Sequence, residues 1–170
     1  AFQQTFKSLG LTGDPYLAAD RCVNSLGTRV AFPDATRTLE QIASDFRLAI
    51  LSNADDAFLL PVIKFNGWAS DANSWQFQTI VSSESAQAYK PDPNIFSEFC
   101  RCADLKPNQV LFVGDSLYDD AHGAKMAGMQ TVLIRREDNP GRTPPPNDLN
   151  LAKPDFEIDS LEELLGILSS

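Results

Sequence analysis

The sequence predicts a three-layer α/β fold built on a parallel sheet, and three observations carry that prediction. Short apolar runs rich in Val, Ile and Leu recur at 47–52, 77–83, 110–115 and 131–136, with a weaker one at 156–158. Helical patterns alternate with them at roughly 36–45, 55–66, 93–103, 118–128 and 160–168. Most of the runs are apolar on both faces, as strands of a sheet covered by helices on each side must be.

Taken in order, the chain opens with helices. Phe2, Phe6 and Leu9 share a helical face and Gly10 is a stop. Asp14 is placed as the N-cap of a second helix, with Pro15 at its first position and an end near Gly27. No strand-like run precedes residue 47. Asp92 and Pro93 repeat the cap-then-proline signal before the 93–103 helix. Ser160 with Glu163 forms a capping box before the last one. Five prolines between 137 and 155 mark a surface loop. The small residues Gly123, Ala124, Ala127 and Gly128 let the 118–128 helix press closely on the sheet.

Length and composition narrow the function classes. A chain of 170 residues suits one domain with a small appendage, and 43% hydrophobic with 22% charged residues suits a packed core. A net charge of −9 argues against nucleic acid, which calls for a basic stripe. Three cysteines, Cys22, Cys100 and Cys102, are too few and too odd in number for a disulfide framework, so the expected location is the reducing cytoplasm. No apolar run reaches the roughly 20 residues that span a bilayer. Cys100 and Cys102 point to different helix faces and read as incidental thiols. His122, the one histidine, reads as a solvated helix residue, and Trp68 and Trp75 read as packing residues.

The chemistry gathers at strand ends, where open α/β sheets bind ligands. Ser52 and Asn53 close the first run just before a helix. A hydroxyl, a carboxamide and helix N–H groups suit phosphate, although both residues are also ordinary helix caps. Lys90 precedes Pro91, which favours an extended backbone, and is a fixed cation for phosphate charge. Asp115 ends an apolar strand and Asp120 follows in the first turn of the next helix. Such oxygen ligands suit Mg²⁺, which takes one or two carboxylates with water and substrate oxygens. Together these ends make the parts of a metal-assisted phosphoryl site.

These segments resemble motifs of the haloacid dehalogenase superfamily. "LAILSNAD" is similar to its second motif, "AYKPDPNIF" to its third and "VLFVGDSLYDDAHGAKMAGM" to its fourth, in matching order from about Val30 onward. The resemblance implies a Rossmann-like core over 31–170, with residues 1–30 the remnant of the helical cap of the phosphoglycolate phosphatase-like group. It implies a Mg²⁺-dependent phosphomonoester hydrolase acting on a small phosphorylated metabolite. Ser52 and Lys90 would be catalytic. Ser52, Asn53 and Lys90 would bind phosphate, Asp115 would hold the metal, and Asp120 would support the metal or Lys90. Asp119 stands where other members often have Asn.

The family's first motif, a strand ending in Asp-x-Asp that supplies the nucleophile, has no counterpart in these residues. That strand lies between the ones ending at Ser52 and Asp115. The expectation is therefore a chain inactive by itself, whose sheet is completed by a missing N-terminal segment, a swapped strand or a partner, or is left open. Two alternatives stand beside the phosphatase. One is a 2-haloacid dehalogenase, which needs no metal and generally lacks the Gly-Asp pair seen at Gly114-Asp115. The other is a non-catalytic phosphate- or metal-binding protein.

Overall fold

The computed structural model describes residues 2–68, 76–136 and 150–169. Trp75 and most of the proline-rich loop lie outside the described residues. Among the described residues the order is α1 (Phe2–Leu9), α2 (Pro15–Leu26), α3 (Pro33–Ile42), β1 (Ala49–Ser52), α4 (Asp56–Phe65), β2 (Thr79–Ser82), α5 (Ser83–Ala86), α6 (Pro93–Ala103), β3 (Leu111–Gly114), a π-helical segment (Leu117–His122), α7 (Gly123–Met126), β4 (Gln130–Ile134), β5 (Phe156–Ile158) and α8 (Leu164–Leu168).

Every strand pairing is parallel. β1 pairs with β2 in the register Ala49↔Thr79 to Ser52↔Ser82. β4 lies between β3 and β5, with Gly114 opposite Leu133 and Ile134 opposite Ile158. The predicted single sheet is split in two, as β2-β1 and β3-β4-β5. Among the described residues no strand pairs with the second edge of β1 or of β3. A cavity of about 1050 Å³ lies between those edges, reached by Ala49–Leu51 on one side and Leu111–Gly114 on the other.

Helices cover both faces of the divided sheet. α6 buries Ile95, Phe96, Phe99, Cys100 and Ala103, a spacing that keeps one stripe of the helix inward. That stripe packs with Val81 of β2 and Phe112 of β3, and the Phe96 and Phe112 rings meet edge to face at 5.7 Å. The opposite layer joins Val132, Ile134 and Ile158 to Leu164 of α8, and Ile42 of α3 to Leu48. Arg47 fastens the start of β1 to the end of α6, donating from Nη2 to the Ala103 carbonyl at 2.7 Å. A cation on those last carbonyls also opposes the helix dipole.

The caps follow the sequence pattern. Asp14 accepts from the Tyr16 N–H and Asp92 from the Asn94 N–H, both at 2.8 Å, each followed by proline. Glu163 accepts from the Ser160 N–H at 3.0 Å. The N-terminal helices form a hairpin in which Gln3 donates to the Tyr16 hydroxyl at 2.7 Å, and neither helix buries a residue fully. Trp68 packs as expected, edge to face with Phe77, and donates to the Thr36 hydroxyl.

One local expectation changes. The helix predicted over 118–128 opens as a π-helical turn, in which the Asp120 and Ala121 N–H groups share the Ser116 carbonyl at 3.1 Å each. Lys90 lies in a turn closed by the Asp92 N–H donating to the Tyr89 carbonyl at 2.8 Å, and its bond to Pro91 is cis. A proline at the third position of a turn is compatible with that arrangement.

Candidate active site

β1 and β2 end side by side because they are parallel, and Lys90 reaches from the end of β1 to the segment after β3. Its ammonium donates to Asp120 Oδ1 at 2.6 Å and to the Leu51 carbonyl of β1 at 3.2 Å. It also lies 5.4 Å from the centroid of the Phe112 ring. One side chain thus links the end of β1 to the segment that follows β3. The Lys90 side chain is 10% exposed and that of Asp120 only 3%, so this ion pair is held away from water. A buried pair of this kind persists only when its remaining hydrogen-bonding capacity is met. Asp120 meets it by accepting the Ser116 N–H on Oδ2 at 2.9 Å.

Glycine makes room for this carboxylate. A Cβ on Gly114 would lie 2.4 Å from Asp120 Cβ and Cγ, closer than real side chains approach. A Cβ on Gly123 would meet the Phe96 ring at 2.8 Å and Pro91 at 2.9 Å. The π-turn is therefore nested against β3 on one side and against the Lys90-Pro91 turn on the other. Ser116 shapes its start, accepting from the Asp119 N–H and donating to Asp119 Oδ2, both at 3.0 Å. Asp119 is thereby occupied with its own turn.

Asn53 faces Lys90 from the other side. Its amide oxygen accepts the Lys90 N–H at 2.7 Å and its amide nitrogen donates to the Lys90 carbonyl at 3.0 Å. A carboxamide has one further hydrogen and one further lone pair beyond these two bonds. Ser52 is half-buried at the tip of β1, and its hydroxyl bonds no other described residue. The loop after it is fixed from β2 and α5. Ser83 donates to the Ala54 carbonyl at 3.2 Å, and the Asp56 N–H donates to Glu84 at 2.8 Å.

Asp115 is half-buried and lines the cavity at the end of β3. Both Asp120 oxygens are engaged, by Lys90 and by the Ser116 N–H. Among the described residues no group of three or more His, Cys, Asp or Glu side chains could hold a metal by itself. A Mg²⁺ ion asks for less, since one or two carboxylates suffice beside water and substrate oxygens. The donor set here fits one side of such an ion.

The structure thus brings Ser52, Asn53, Lys90, Asp115 and Asp120 to one end of the sheet. His122 serves elsewhere: its Nδ1 accepts the Ala152 N–H at 3.0 Å and its ring stacks on Tyr118. Cys100 is buried in the core, where burial pushes its thiol pKa up. Sequence reasoning did not find the pair of hydrogen bonds from Asn53 to the Lys90 backbone or the need for glycine at 114. The second had a signal, a glycine directly before a strand-end aspartate.

Similarity to known proteins follows the same residues. The sequence profile of haloacid dehalogenase-like hydrolases matches residues 21–134. The chain is 32% identical over 151 residues to the (S)-2-haloacid dehalogenase 4A of Burkholderia cepacia, covering 88% of this chain and 60% of that protein. It is 33% identical over 172 residues to a glyceraldehyde 3-phosphate phosphatase of Methanopyrus kandleri, covering 98% and 70%. The crystal structure of a HAD phosphatase from Thermococcus onnurineus superposes with a TM-score of 0.69 at 28% identity, covering 98% of this chain and 70% of that one. With a parallel α/β core, a profile match over most of its length and relatives above 30% identity, this chain belongs to the haloacid dehalogenase-like hydrolases.

Proposed function

We propose that the chain is the core of a Mg²⁺-dependent phosphomonoester hydrolase for a small phosphorylated metabolite. In this reading residues 1–30 belong to a helical cap and residues 31–170 to the catalytic core. The observation that carries it is the Lys90 ammonium, held between the Leu51 carbonyl at the end of β1 and the Asp120 carboxylate after β3. A fixed cation at that point neutralises a phosphoryl group without reorganising when charge develops, which is where preorganised electrostatics contributes most. In this reading the Ser52 hydroxyl donates to a phosphoryl oxygen, and the Asn53 amide hydrogen not used on Lys90 is available to the same group. Asp115 would hold Mg²⁺, which would supply charge neutralisation at the phosphoryl oxygens. Asp120 keeps Lys90 in place and is itself kept in place by the Ser116 N–H.

The carboxylate nucleophile is the part these residues do not include, and the cavity between β1 and β3 supports a place for it. Its lining includes Leu39 and Ile42 of α3 and Ile167 of α8 on one face, and Phe99 and Ala103 of α6 on the other. An apolar strand entering there would be covered on both faces and could pair with two open parallel edges. We place the family's first-motif strand in this slot, with its carboxyl end meeting Lys90 and Asp115. The unlinked thiols of Cys22, Cys100 and Cys102 suit a cytoplasmic setting, and among the described residues no helix is long and apolar enough to cross a membrane.

A 2-haloacid dehalogenase is the second reading, favoured by the similarity to the Burkholderia protein. Release assays separate the two, run on this chain and on a form extended to include a first-motif strand. The phosphatase reading expects the extended form to release phosphate from phosphomonoesters with Mg²⁺ and to lose that activity in EDTA. Lys90→Met and Asp115→Asn should each lower kcat by roughly 100-fold or more. Halide release from a 2-haloacid that survives EDTA would replace this reading with the second.

A further inference from the structure

Lys90 does not hold its own position. It sits in a turn between α5 and α6, outside regular structure, and its backbone would have neither a helix nor a sheet partner without help. The carboxamide of Asn53, 37 residues earlier, supplies one. It accepts from the Lys90 N–H and donates to the Lys90 carbonyl, as a neighbouring strand's peptide would do. Asn53 is attached directly to the end of β1, and the Leu51 carbonyl of the same strand receives the Lys90 ammonium. Backbone and side chain of Lys90 are thus referenced to one rigid strand. We propose that Asn53 is a positioning residue, a side-chain substitute for a β-strand partner that fixes the Lys90 ammonium on Asp120. This rests on the proposed phosphoryl chemistry only for its functional consequence, since the clamp itself is a matter of geometry.

Without the clamp, the turn is tied to β1 only through a flexible lysine side chain. Two other features do not substitute for it. The Tyr89–Asp92 hydrogen bond closes the turn but joins it to nothing else. Asp92 caps α6, which leaves Lys90 two residues outside that helix. The same bonds are absent from an alanine at 53, while a serine or threonine hydroxyl is too short to pair with both the N–H and the carbonyl of one residue.

The test reads Lys90 accessibility and does not require turnover. The protein is exposed briefly to an amine-acylating reagent, and each lysine's modification is quantified by peptide mass spectrometry. Lys64 near the end of α4 is the internal reference. In the native protein Lys90 should be among the slowest lysines to react. In Asn53→Ala its rate relative to Lys64 should rise by about tenfold or more, since a free ammonium reacts while one held on a carboxylate and a carbonyl does not. Asn66→Ala is the control for general loosening. Asn66 also holds a distant backbone with one carboxamide, accepting from the Ala31 N–H and donating to the Arg29 carbonyl, but far along the chain from Lys90. Its loss should leave Lys90 protected. Unchanged Lys90 labelling in Asn53→Ala, or an equal rise in Asn66→Ala, overturns the proposal. Failure of the form extended with a first-motif strand to release phosphate would overturn the phosphatase reading and leave the labelling result standing. Intact turnover with unaltered labelling would do the reverse.

Discussion

At the scale of single residues the site depends on absent side-chain atoms as much as on present ones. Gly114 is the clearest case, because Asp120 occupies the volume its Cβ would take. Gly114→Ala must displace either the end of β3 or the Asp120 carboxylate, and the latter carries the buried Lys90 pair. The expected loss is about 1–3 kcal/mol, typical of overpacking a tight contact, measured by urea denaturation against the native chain. Gly128 provides the contrast. It has a positive φ but nothing closer than 3.6 Å, so a substitution there strains the backbone and not a neighbour. Asp120 itself was legible in the sequence as an acid near a strand end. Which of its two candidate roles it serves was not, because spacing along a helix does not reveal that both oxygens are taken by Lys90 and Ser116.

At the scale of elements, α3 is tied to the remote half of the fold by one carboxylate. Asp34 accepts from Arg136 and from the Leu161 N–H, both at 2.7 Å, and the Arg136 guanidinium lies 4.1 Å over the Phe32 ring. Burial works to raise the Asp34 pKa, but the Arg136 hydrogen bond and charge, with the Leu161 N–H, leave it below the usual carboxylate value. A depressed pKa sets the sign. The contribution to stability is complete above the unfolded carboxylate pKa of about 4 and disappears as pH falls through the lower folded value. Asp34→Asn should therefore cost about 2 kcal/mol near neutrality and flatten the acid limb of a stability-against-pH curve, followed by thermal melting from pH 7 to pH 3. The strands, most of the helices and the proline-led caps could be read from apolar runs and from Asp14-Pro15 and Asp92-Pro93, since those signals are local. The π-turn at Leu117–His122, the short α5 and the Asp34 contacts could not, since each depends on a partner far away in sequence or on competition for one carbonyl.

At the scale of the whole molecule, the described strands form two parallel sheets, β1-β2 and β3-β4-β5, with a cavity between β1 and β3. Covered parallel strands draw their protection from neighbours on both edges, and among the described residues β1 and β3 each have one. Amide hydrogen exchange on this chain should find β1 and β3 less protected than β4, which is paired on both sides. Protection of β1 and β3 should rise in a form that carries a strand for the slot. Equal protection of the three strands in the bare chain would mean that their open edges are closed some other way. The split itself could be anticipated from the lack of an Asp-x-Asp strand in the sequence, but not the persistence of a cavity with helices on both faces. The Asp34 contacts, finally, bear on how fast such a molecule reaches its fold. They join residue 34 to residues 102 and 127 positions later, so they close loops longer than most of the chain. Loop-closure entropy of that kind is met late, and contacts this remote in sequence slow the search for the native topology. The carboxylate that fastens α3 to the chain just after β4 and to the segment leading into α8 is thus a measure of the molecule's contact order, a seam sewn after the cloth is cut.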